Sequence, residues 1–125
     1  MQDMQEHAER VAEIRRYIHR NIDQPLNRAV LADKLGFSVP HFHRIFTACT
    51  GESAASYVRR VRLERAGRKL RMGAVNITEV ALAAGYDTHA AFSKAFKQQY
   101  GLSPSEFRRL DCRSATRLLT EGWIR

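Results

Sequence analysis

Several things are scarce in this 125-residue chain, and each scarcity removes a class of protein. It has two cysteines, Cys49 and Cys112, and no C-x-x-C pair, which excludes a disulfide framework or a zinc ribbon. No apolar run approaches the ~18 residues of a membrane span. The first ten residues, MQDMQEHAER, are polar and show no signal peptide, so a cytoplasmic protein is expected. There is no phosphate-binding glycine loop, no dinucleotide glycine pattern and no nucleophile elbow, so no enzyme activity and no cofactor are expected. The five histidines include His41 and His43, two residues apart and so on different faces of a helix, with no cysteine or carboxylate to complete a metal site. Acids are outnumbered, 13 against 21 Lys and Arg, leaving a net charge of +8 and an expected anionic partner. No segment alternates apolar and polar residues over the length of a strand.

What is present is helical. From about Ala8 to Asn21, Val11, Ile14, Ile18 and Ile22 recur on one face, and the pattern ends before Pro25. Residues 1–7 read as frayed. Asn27 caps a short helix with Val30, Leu31, Ala32 and Leu35 inward and Gly36 as its stop. Ser38 and Pro40 start a third helix with an apolar stripe of Phe42, Ile45, Phe46 and Cys49. Residues 53–72 form a long basic helix with two opposed apolar faces: Ala54, Tyr57, Val58 and Val61 in its first half, Leu63, Ala66 and Leu70 in its second. Such a helix suits a linker that buries one half in each of two bundles. Gly73 marks a break. Asn76 and Glu79 have capping-box spacing for a fifth helix stopped by Gly85. Asp87 is expected to cap a sixth, carrying Phe92, Ala95, Phe96 and Tyr100, and Ser103, Pro104 and Glu106 start a seventh. The expectation is an all-α fold of seven helices, with a flexible tail over residues 1–10 and a C-terminal tail over 110–125. In that tail, Leu118, Leu119, Trp123 and Ile124 either pack back on the domain or meet a further one.

The two halves repeat. Phe42, Phe46, Gly51, Ser53 and Tyr57 correspond to Phe92, Phe96, Gly101, Ser103 and Phe107, each 50 positions on, whereas Gly36 and Gly85 are 49 apart. The repeated unit, at about 28–49 and 76–99, is a short helix, a glycine turn and a longer helix, which is helix-turn-helix grammar. A linker of 20 residues spans about 30 Å, close to the ~34 Å between successive major-groove faces of B-DNA. One chain is therefore expected to place two recognition helices in adjacent major grooves of double-stranded DNA. The alternative is a basic helical interaction module with non-specific nucleic-acid binding.

The residues A-x-x-x-G-F (Ala32 to Phe37), H-F-x-R-x-F (His41 to Phe46), T-G-x-S (Thr50 to Ser53), Y-V-R-R-x-R-L (Tyr57 to Leu63), I-x-E-V-A-x-x-x-G-Y (Ile77 to Tyr86), A-F-S-K-x-F-K (Ala91 to Lys97) and G-x-S-P-x-E-F-R (Gly101 to Arg108) resemble the DNA-binding domain of the AraC/XylS regulators over about residues 11–109. The resemblance implies seven helices, two helix-turn-helix units joined by the linker, transcriptional activation or repression, and contact with RNA polymerase. The string His-Phe-His-Arg-Ile-Phe is similar to members in which a small-molecule domain follows. The chain is then either a stand-alone regulator or the DNA-binding piece of a longer one, and is expected to bind DNA as a monomer.

The core stripe turns Pro40, His43, Arg44 and Thr47 outward on the first recognition helix, and Ala90, Ser93, Lys94 and Lys97 on the second. The base-contacting positions that the resemblance implies fall at Pro40, His43 and Arg44, and at His89, Ala90, Ser93 and Lys94. Arg44 suits guanine O6 and N7 best, because a guanidinium fork matches that edge. Pro40 replaces an aromatic that some family members carry. Ala90 and Ala91 replace polar readers, so the first helix is expected to supply most of the specificity. Phosphate contacts are expected from Arg59, Arg60, Arg62, Lys97, Arg108 and Arg109, and from backbone N–H groups near Ser38, Ser53, Asp87 and Ser103. Six neutralised phosphates would give a slope of log K against log salt of about −5.

Overall fold

The computed structural model describes residues 2–72 and 76–121, with side chains from residue 5 on. The described residues hold eight α-helices and no strand: α1 Gln2–Arg20, α2 Arg28–Leu35, α3 Val39–Thr50, α4 Ala54–Leu70, α5 Ile77–Ala83, α6 His89–Tyr100, α7 Pro104–Arg108 and α8 Cys112–Glu121. The chain divides into two compact units between Val61 and Arg62.

In the first unit α1, α2, α3 and the start of α4 close one core. Val11, Ile14, Ile18 and Ile22 are all buried, as their spacing requires, and meet Leu31, Leu35, Phe42 and Phe46. Tyr57 from α4 lies edge-on to Phe46 at 5.7 Å between ring centroids. Its hydroxyl bonds His19 at 2.9 Å and accepts from Arg15 at 3.4 Å, so its polar end is satisfied against α1. In the second unit Leu63, Ala66 and Leu70 from the rest of α4 join Val80, Phe92, Phe96, Tyr100 and Phe107. Phe96 and Phe107 repeat the Phe46–Tyr57 contact at 5.3 Å.

The helix-turn-helix corner is also built twice. Gly36 and Gly85 take φ values of 72° and 93°, which an L side chain rarely adopts. The next residue then folds back onto the helix. Phe37 N donates to Ala32 O, and Tyr86 N donates to Ala81 O, each at 3.0 Å. Ala32 and Ala81 are buried, so a small side chain lies under both corners.

Five expectations need correction. The flexible tail at 1–10 is instead the start of α1. Its His7 ring stacks edge-on to Phe37 and His41, and Arg10 donates to Leu35 O at 2.6 Å. The C-terminal tail holds an eighth helix, α8. Its Ala115 is buried, Leu118 and Leu119 pack on the second core, and Asp111 accepts from Ser114 N at its start. Thr88, not Asp87, caps α6, its hydroxyl accepting from Ala91 N at 3.0 Å. Ser38 and Thr88 are 50 apart like the phenylalanines, so the extra residue lies before the cap, within the turn. Val30 and Cys49, expected inward, are exposed. The long helix runs 54–70, so at 17 residues it spans about 25 Å. The break at Gly73 and the packing of Trp123 and Ile124 lie outside the described residues.

Gly67, inside α4, sets up one further test. A Cβ there would fall 2.6 Å from Leu119 Cδ2 and 3.6 Å from the Phe107 ring. Helix propensity alone favours alanine over glycine by about 1 kcal/mol. Gly67→Ala is therefore expected to stabilise the Leu119→Ala background by about that amount and the native background by clearly less. Urea denaturation of the four proteins measures both differences, and equal gains would show that Leu119 does not crowd the site.

At α7, Ser103 N donates to Glu106 at 2.9 Å and Glu106 N to the Ser103 hydroxyl at 3.2 Å, a complete capping box. These bonds hold the Glu106 carboxyl below its usual 4.5. Its lowered value means that the charged form stabilises the fold, with the contribution present above the ordinary pKa and lost as pH falls through the folded one. The stability of the native chain over Glu106→Gln should thus be larger near about pH 7 than near about pH 3. Denaturation midpoints across that range test it.

Candidate nucleic-acid interface

The buried phenylalanines decide what α3 and α6 show to solvent. Phe42 and Phe46, one turn apart, have ring centroids 5.6 Å apart. Phe92 and Phe96 are 5.7 Å apart. With that face held in the core, the 3.6-residue period sends Pro40, His43 and Arg44 outward on α3, and His89, Ala90 and Lys94 outward on α6; all six are exposed. Ser93 is half-buried. Thr47 differs from the expectation: it is half-buried, and its hydroxyl oxygen is buried without a hydrogen-bond partner, so that oxygen is turned away from any ligand on the outer face. The second helix carries two alanines, Ala90 and Ala91, on exposed positions, and offers correspondingly fewer hydrogen-bonding groups.

The basic residues divide into two kinds. Arg59, Lys97 and Arg109 are exposed. Arg62 is half-buried, with its guanidinium near Gly85. Arg60 forms an ion pair with Glu52 at 2.6 Å and lies over the Tyr57 ring at 5.1 Å. Its charge is largely neutralised within the protein. Arg108 donates through Nε to Leu70 O at 3.2 Å, tying α7 to the last turn of α4. Arg71 donates to the carbonyls of Arg108 and Leu110 and so fixes the chain between α7 and α8. These roles for Arg60, Arg71 and Arg108 left no signal in the sequence, because a guanidinium bound to a distant carbonyl or aromatic face looks there like any surface arginine. For α8, by contrast, the sequence does carry a signal, Ala115, Leu118 and Leu119 at helical spacing.

The helix N-termini are also unequal. Ser38 accepts from His41 N at 3.3 Å and Ser53 from Ser56 N at 3.1 Å. The cap expected at Asp87 is at Thr88. At Ser103 the N–H donates to Glu106, whose carboxyl is held below its ordinary pKa and sets a negative charge at that helix start.

With the duplicated corner and its outward faces in view, comparison with known proteins is decisive. A family model described as a helix-turn-helix domain matches residues 31–110. The transposon Tn10 TetD protein of Escherichia coli is 35% identical over 107 residues, covering 86% of this chain and 78% of that protein. The chain belongs to the AraC/XylS family. The regulatory protein SoxS of Escherichia coli strain K12 is 33% identical over 102 residues, 82% of this chain and 95% of SoxS. The right origin-binding protein of the same strain is 34% identical over 93 residues, and the match spans 74% of this chain but only 32% of that protein. An AraC-type regulator from Chromobacterium violaceum shares the fold at a TM-score of 0.75 and 26% identity, covering 80% of this chain and 89% of the other. The DNA-binding domain of AdpA, a global transcriptional factor solved with a target DNA, gives a TM-score of 0.71 at 25% identity over 86% and 92% of the two chains.

No described helix is long and apolar enough to cross a membrane. Among the described residues, no group of three or more His, Cys, Asp or Glu is placed to hold a metal ion.

For an AraC/XylS regulator, the division of arginines makes a direct prediction. Arg59→Ala should weaken binding to all duplexes alike and reduce the magnitude of the salt slope by about 1. Arg108→Ala should leave the slope unchanged and lower stability by about 1–2 kcal/mol through the lost bond to Leu70 O. Salt titrations of duplex binding and urea denaturation, run on both variants, separate the two roles.

Proposed function

We infer that this chain regulates transcription by binding double-stranded DNA sequence-specifically, one chain presenting two recognition helices, each to its own stretch of major groove. The observation that carries this reading is the register of the repeat. The outward residues of α3 and α6 correspond at a constant offset of 50, and the same turn and the same aromatic pair hold both helices. A helix-turn-helix dimer presents two such helices from two subunits; here both are in one chain, which supports binding as a monomer.

Arg44 is assigned to a guanine, its fork matching O6 and N7, and His43 to an adjacent base edge. Lys94 offers a single point charge, suited to a guanine or to a phosphate. His89, Ala90 and Pro40 supply apolar and shape contacts, and Ser93 a hydroxyl. Arg59, Arg62, Lys97 and Arg109 anchor phosphates, with N–H groups at the starts of α3 and α6. With Arg60 and Arg108 engaged internally, four such side chains imply a salt slope of about −4 rather than −5.

Selection of bound duplexes from a random pool at physiological salt tests the reading. Two short information-rich blocks are expected, the α3 block the stronger, with one protein per duplex by sedimentation. Arg44→Ala should lose about 1–3 kcal/mol of discrimination at one base pair, whereas Lys94→Ala, if it holds a phosphate, weakens all duplexes equally. If selection enriches nothing and binding vanishes as salt rises, the chain is instead a basic module with non-specific affinity.

A further inference from the structure

A groove of about 480 Å³ lies within the first unit, between the start of α1 and the side of α3. Its size falls in the range of sites for small molecules. The groove exists because small residues line it: Ala8 on α1 and Ala48 on α3 leave room above Ile45. Its polar lining is His7, His41 and Arg44. No carboxylate lines it, so all of its charge is of one sign. The two histidine rings hold each other edge-on at 5.9 Å, and Phe37 packs against both, at 6.2 Å from His7 and 4.8 Å from His41. Arg44 is exposed and forms no ion pair with an acid among the described residues.

We propose that this groove binds a small aromatic carboxylate and that the bound anion takes Arg44 away from DNA. A flat apolar ring fits the alanine and isoleucine walls. Its carboxylate matches the guanidinium fork, which binds such an anion through two parallel hydrogen bonds. Imidazole N–H groups of His7 and His41 supply further donors on the same side. A neutral ring would leave the arginine charge uncompensated, and a cation would be repelled. The consequence for DNA rests on the reading of Arg44 as a base contact; the site itself does not. One guanidinium cannot fork a carboxylate and a guanine at once, so the two ligands compete for that side chain. With the anion saturating, the duplex loses one bidentate base contact, which weakens it roughly 5- to 150-fold.

The probe is 2-naphthoate, with neutral 2-naphthylmethanol as its control. Added to the isotopically labelled protein without DNA, 2-naphthoate should shift the amide signals of His7, Ala8 and Ala48 and leave those of α8 unmoved. In anisotropy titrations with the selected duplex it should weaken binding at least about fivefold near saturation, and the alcohol should not. Ala8 is exposed and is not assigned a DNA contact, so Ala8→Phe and Ala8→Leu, which fill the groove without setting an acid beside Arg44, should bind the duplex as the native chain does and lose the response. Absence of localised shifts, or an equal response in both variants or to the alcohol, overturns the site. Shifts at the groove with unchanged duplex affinity overturn the exclusion; whether the base assignment of Arg44 has failed is then read independently from discrimination by Arg44→Ala.

Discussion

Everything this chain presents to a partner depends on two phenylalanines, one turn apart, on each recognition helix. Phe42 and Phe46, like Phe92 and Phe96, are fully buried and pack as tilted pairs. Large-to-small changes at such aromatic positions typically cost about 3–5 kcal/mol, a large share of a small domain's total stability. The helix cannot rotate about its axis without surrendering that burial. Its outer residues are thereby held on one face, and a recognition helix with a defined outer face can discriminate between bases. Tyr57 and Phe107 seal the two cores in the same way, the tyrosine with its hydroxyl bonded to α1 and the phenylalanine without one.

The net charge of +8 is not all directed at DNA. Arg10 and Arg15 bind the first core's own periphery, one at a helix C-terminal carbonyl and one at the Tyr57 hydroxyl. Arg60, Arg71 and Arg108 hold helix ends and an acid in place. Arg44, Arg59, Lys94, Lys97 and Arg109 remain exposed. The same residue type thus does structural and electrostatic work, and only its neighbours distinguish the two. An exposed ion pair such as Glu64–Arg68 adds little on its own, whereas a guanidinium bonded to an otherwise unpaired helix-end carbonyl satisfies a group that would be costly to leave bare.

The outward residues of the site were legible because they follow from periodicity: once the apolar stripe is known, residues at helical spacing opposite it must face out. Arg44, His43 and Lys94 were placed in this way. Thr47 escaped the rule because it sits at the boundary of the stripe, where rotamer choice turned its hydroxyl inward. Cys49 erred the other way, at the last turn of α3, where the core no longer covers the helix. The cap of α6 was misplaced by one residue because Asp and Thr both cap well, and only the backbone shows which has the extended φ and ψ.

The sequence by itself determined the all-α class, the repeat, the turn glycines and the two-faced linker helix, because each depends on residues near one another in the chain and on the fixed period of a helix. The tertiary structure alone decided the rest. It decided that α1 starts at Gln2, because His7 and Arg10 find partners on Phe37, His41 and Leu35, some 25–34 residues away. It decided where the C-terminal helix docks, at Gly67, where the missing Cβ admits Leu119. It decided which arginines are spent on carbonyls, and it opened a groove beside Arg44 between two small alanines. These features are contacts between residues far apart in sequence, and no periodicity along the chain records which distant residue a side chain will meet.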